Sequence, residues 1–118
     1  MKIFAIRNEE DENRKDLGYL IYYEKPRRFY IELPDDADPW ETPLILSSCM
    51  KKKKKTISAY WSKVWVQQRI IPSDRQNLGR ILKDKGLDSY DEFKLLTMTD
   101  GRCSQDYYYI TAVSEKNL

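Results

Sequence analysis

Few residues in this chain could carry chemistry. Among its 118 residues there is no histidine, which removes the side chain most used as general base, triad member and zinc ligand. Cys49 and Cys103 stand apart, with no metal-ligand spacing and no activating neighbour. Both are read as reduced, small apolar residues, with a disulfide as the minor alternative. Asp35, Asp36 and Asp38 crowd together between prolines, a setting for solvated charge rather than for the spaced pair that cleaves a glycosidic bond. Asp100-Gly101 lacks the ladder of oxygen ligands found in a calcium loop. Gly18, Gly79, Gly86 and Gly101 never approach a phosphate-cradling pattern. The expectation is a chain that is not an enzyme and uses neither cofactor nor metal.

What remains is binding chemistry. Residues 1–50 carry 7 basic and 11 acidic groups, residues 51–85 carry 11 and 2, and residues 86–118 carry 3 and 6. The middle segment is therefore +9 between two acidic flanks, a polarity that steers partners of opposite sign. It opens with Lys51, Lys52, Lys53, Lys54 and Lys55, whose mutual repulsion makes them a solvated loop or hairpin tip, or else a contact for a phosphate backbone. Three tryptophans are candidate partner anchors, since large aromatics dominate interface energetics. Trp40 lies in the acidic loop 34–43; it anchors a partner or folds back as a lid on the core. Trp61 and Trp65 share a helical stretch, and their plainer role is packing against a sheet. Arg69 and Arg75 are candidates for pairing with a partner's acidic groups. Gln67, Gln68 and Arg69 are consecutive, so they diverge around a helix and do not make a base-reading face.

Elements must position these residues. The organising stretch is 60–87. Ile57, Tyr60, Trp61, Val64 and Trp65 recur at three- and four-residue steps, which predicts one apolar helix face. Pro72 cannot continue that helix. Ser73 with Gln76 has capping-box spacing for a second helix, Leu78, Ile81 and Leu82 form its stripe, and Gly86 sits where a left-handed C-cap is wanted. Ser89 with Glu92 repeats the capping spacing ahead of Tyr90, Phe93 and Leu96. Residues 2–7, 18–24 and 29–33 read as strands joined by short turns, an antiparallel meander. Residues 44–48 read as extended, 99–102 as a turn, and 105–113 as a last strand returning to the sheet. Strands, then helices, then a strand predict an α+β fold: an antiparallel sheet, made of an N-terminal meander plus a C-terminal strand, with about three helices packed on it.

At this length the chain is one domain, 1–118. Charged residues are 34% and hydrophobic ones 41%, a globular rather than disordered composition. No apolar run reaches the roughly 18 residues of a membrane span. The N-terminus turns acidic before a signal core could form, so a cytoplasmic setting is expected.

The order of motifs resembles the N-terminal domain of HipA-type toxin kinases. The likeness runs over residues 17–113 through Gly18-Tyr19-Leu20, Pro43-Leu44-Ile45-Leu46-Ser47, the aromatic helix from Trp65 to Ile70-Ile71-Pro72 and Arg75, Gly86-Leu87-Asp88, Tyr90-Asp91-Glu92-Phe93-Lys94-Leu95-Leu96, and Gly101-Arg102-Cys103-Ser104 before a strand. Each motif is short; their shared order is the specific part. Two departures stand out. The lysine run replaces an ordinary loop, and Gln105-Asp106 stands where the family's closing turn has its second glycine. The resemblance implies a stand-alone, HipS-like regulator that binds and restrains a HipA-type serine/threonine kinase, accompanied by a DNA-binding antitoxin. The alternative that charge suggests is a nucleic-acid binder acting without sequence preference through residues 51–85.

Overall fold

The computed structural model describes residues 1–43, 45–47 and 56–113. Its strands are β1 (Lys2–Asn8), β2 (Gly18–Tyr23), β3 (Arg28–Glu32), β4 (Thr56–Ile57) and β5 (Tyr108–Ala112); its helices are α1 (Ala59–Gln67), α2 (Leu78–Asp84) and α3 (Glu92–Met98). The strands form one sheet in the order β4-β3-β2-β1-β5, and every neighbouring pair is antiparallel. This is the α+β fold expected from the sequence. The strand missing from that expectation is β4, because two residues give no period to read.

Register divides the side chains between two faces. Phe4 lies opposite Leu20, Leu20 opposite Ile31, and Ile31 opposite Ile57. With Ile6, Tyr22, Phe29 and Ile110 they form the face that meets the helices, because Trp65, Val66 and Leu96 join the same cluster. Phe93 closes one end of it, stacked on Tyr22 at 4.3 Å with the rings 6° from parallel. The opposite face carries Ile3, Ala5, Arg7, Tyr19, Ile21, Tyr23, Arg28, Tyr30 and Glu32, the alternate residues of the same strands. The loop 9–17 covers its β1–β5 end. Arg14 donates to Tyr109 Oη at 2.9 Å, while Arg7 and Tyr19 both donate to Asp16, at 2.8 and 3.2 Å.

Helix boundaries depart from the sequence reading in instructive ways. Ile57 belongs to β4, opposite Ile31, and not to the helix. Ser58 then caps α1, its hydroxyl accepting from Trp61 N at 3.3 Å. The buried residues of α1 are Ser62, Trp65 and Val66, so the face runs through the small Ser62 and leaves Tyr60 and Trp61 exposed. The predicted face shares only Trp65 with the buried set, because β4 fixes how the chain enters the helix. Ser73 does not start α2: residues 73–77 form turns, and α2 follows Asn77, whose left-handed backbone makes no side-chain cap bond. Gly86 does end α2 as expected, at φ +75°, with Gly86 N donating to Lys83 O and Leu87 N to Leu82 O. Asp91, not Ser89, caps α3 by accepting from Lys94 N at 3.1 Å. Residues 45–47 are helical rather than extended: Leu46 and Ser47 N–H groups both donate to Pro43 O.

Candidate docking surface

Arg69 was a candidate for pairing with a partner. The structure places it inside the fold instead. Its Nε donates to Gly101 O at 2.7 Å, its Nη1 to Asp106 Oδ2 at 3.0 Å, and its Nη2 engages Asp106 Oδ1 as well. The guanidinium also lies over the Trp65 ring, 4.3 Å from its centre. The forked donor matches the carboxylate on two sides at once. One side chain thus ties the end of α1 to the turn after α3 and to the lead into β5. Asp106 is the partner that sequence reasoning missed. No local pattern links residues 37 positions apart.

Trp65 is corrected in the same way. It is 1% exposed and is the largest of the fully buried side chains. Its indole N–H has no hydrogen-bond partner among the described residues. Neither Trp65 nor Arg69 is a surface anchor, because α1 buries its Ser62, Trp65 and Val66 face and the turn that follows carries Arg69 inward beside it.

Trp40 and Trp61 remain on the surface. Trp40 is 95% exposed, so it is no lid on the core. Asp38 holds it out: its carboxylate accepts from Trp40 N at 2.9 Å, and its carbonyl accepts from Glu41 N, Thr42 N and Thr42 Oγ1. Ala37, on the same loop, packs against the core in its stead. Lys15 bonds Glu41 at 3.0 Å, and Tyr108 Oη donates to Glu41 O at 3.1 Å, which fastens the loop to β5. Burial first, and then the charge of Asp106, push the Tyr108 hydroxyl above its ordinary value. Beside Trp40 lies a cleft of about 490 Å³, with Pro43, Ile45, Trp65, Gln68 and Tyr108 among its walls.

Trp61 is 45% exposed and meets the exposed Tyr60 edge to face, 5.1 Å between centres. Arg75 is exposed on the turns before α2; its backbone N donates to Pro72 O at 3.2 Å, and its side chain makes no hydrogen bond or ion pair among the described residues. Lys51, Lys52, Lys53, Lys54, Lys55 and Cys49 lie outside the described residues, and Cys103 is a free, half-buried thiol. No group of three or more His, Cys, Asp or Glu among the described residues is placed to hold a metal ion. No described helix is long and apolar enough to cross a membrane.

Fold and surface together define a two-layer α+β domain that projects tryptophans into solvent on a hydrogen-bonded framework. No family model, no curated protein and no solved structure matches the chain.

Proposed function

We propose that this chain is a non-catalytic binding module, the small HipS-like partner of a HipA-type serine/threonine kinase in a toxin–antitoxin system. The order of motifs over residues 17–113 supports the kinase as partner. The observation that carries docking is Trp40, whose ring stands in water on a rigid turn beside the 490 Å³ cleft. A tryptophan buries about 150–250 Å² when covered, at roughly 25 cal/mol per Å², so a partner that covers it gains several kcal/mol. Asp38 fixes the backbone at Trp40, which lowers the ordering cost of association. Trp61 with Tyr60 offers a second aromatic anchor, and Arg75 an unengaged cation.

The test pairs the purified chain with a HipA-type kinase, for which the neighbouring reading frame is the first place to look. Trp40→Ala and Trp61→Ala, both exposed, leave the circular dichroism and unfolding midpoint unchanged. At least one of them weakens kinase binding by about 2 kcal/mol or more, the level of an interface hot spot. Wild-type affinity in both variants removes the tryptophans from the mechanism. Failure of the unmodified chain to bind or restrain the kinase removes the reading itself.

A further inference from the structure

The part of the second sheet face that the loop 9–17 leaves open among the described residues has its own chemistry. Over β2 and β3 it opens into a cleft of about 380 Å³, within the usual range of ligand clefts. Ile21, Tyr23, Tyr30, Lys25, Arg28, Glu32 and Thr56 line it. Register explains why they meet: Ile21 lies opposite Tyr30, Tyr23 opposite Arg28, and Glu32 opposite Thr56. Arg28, Tyr30 and Glu32 are alternate residues of one strand, so they form a line with a cation at one end, a ring in the middle and a carboxylate at the other. Four residues of strand separate the ends by about 13 Å.

Arginines elsewhere around this face are engaged: Arg7 with Asp16, Arg14 with Tyr109, and Arg102 with Glu9. The side chains of Lys25, Arg28 and Glu32 make no hydrogen bond or ion pair among the described residues, while Arg28 and Glu32 pair in the sheet through their backbones. Tyr23 is 38% exposed and meets Tyr30 with ring centres 5.7 Å apart at 81°. Because the rings are crossed, a flat group stacked on one meets the edge of the other, and the cleft takes one ring rather than a stack.

We propose that the open β2–β3 face binds single-stranded nucleic acid, one nucleotide at a time, with phosphate at Lys25 and Arg28, the base against the Tyr23–Tyr30 pair, and an amino-bearing base edge at Glu32. A single strand presents its base for stacking on an aromatic, which a duplex does not. A carboxylate only accepts hydrogen bonds, so Glu32 selects the amino group of cytosine over the carbonyl of thymine. This face is separate from the tryptophan surface; of residues 51–85, the segment that charge alone points to, Thr56 is among its lining residues.

Fluorescence anisotropy of labelled oligo-dC, oligo-dT and a duplex, at about 50 mM salt, tests it. Oligo-dC binds about ten-fold more tightly than oligo-dT, and the duplex binds more weakly than either. Glu32→Gln abolishes the preference. Tyr30→Ala weakens oligo-dC binding about ten-fold. Arg28→Glu, at an exposed position and harmless to folding, weakens it as well, and Arg28→Ala lowers the salt slope by about 0.7. Neither Arg28 variant alters kinase capture. No binding at this salt, equal binding of duplex and single strand, undiminished binding by Arg28→Glu, or free cytidine monophosphate binding as tightly as the strand overturns the proposal.

Discussion

Replacing Arg69 by alanine tests whether that residue holds the fold together or serves a partner. The substitution removes the donors to Gly101 O, to both oxygens of Asp106 and to Tyr108 O, and it uncovers the face of Trp65. What remains is a buried carbonyl and a carboxylate whose side chain is 31% exposed. Breaking a fully buried charged pair by deleting one partner costs about 3–5 kcal/mol. Water reaches Asp106 in part, and Tyr108 N still donates to it at 3.0 Å, so the lower end applies, about 3 kcal/mol. A domain of this size holds about 5–15 kcal/mol in all, so the variant folds but is much weakened. With a urea m-value of about 2 kcal/mol per M, the midpoint falls by roughly 1.5 M. Arg75→Ala, on the exposed turns before α2, stays within about 0.5 kcal/mol of the parent. A midpoint for Arg69→Ala that coincides with that of Arg75→Ala refutes the structural role assigned to the clamp.

Four further outcomes follow from the same structure. Gly101→Ala places a side chain at φ +69° and a Cβ 3.1 Å from Ile110 Cγ1; it costs about 2 kcal/mol or more, read as a lowered unfolding midpoint. Ser58→Ala removes the cap of α1 and costs about 1 kcal/mol, measured the same way. Burial raises the hydroxyl pKa of Tyr19, Tyr22, Tyr90 and Tyr108. A raised folded pKa favours the protonated form in the fold. Its stabilisation is therefore complete below the unfolded value of about 10 and is lost as pH climbs through the folded values. Unfolding midpoints followed upward from about pH 10 fall. Tyr90→Phe, which deletes the 2.7 Å bond to Ile71 O, loses about 1 kcal/mol at neutral pH and declines less steeply in alkali.

The sequence by itself determined the elements whose signal is local. Alternation and β-branched content placed β1, β2 and β3, Gly86 marked the end of α2, and the run before Pro72 required a helix. It also determined the charge polarity and the absence of histidine, which needs no fold to be true. Tertiary structure decided everything that depends on which face turns inward. The helical repeat of α1 allows several faces, and only the two-residue pairing of β4 with β3 selected the one through Ser62, Trp65 and Val66. That choice buried Trp65 and Arg69 and left Trp61 outside. Trp40 was undecidable from its neighbours because its exposure rests on Asp38 and on Ala37 filling the core in its place. The Tyr23–Tyr30 cleft joins alternate residues of two strands whose partnership is set by register. Spacing along a chain constrains only neighbours within a turn or a pleat, whereas contacts such as Arg69 to Asp106 exist only after the whole chain has closed on itself.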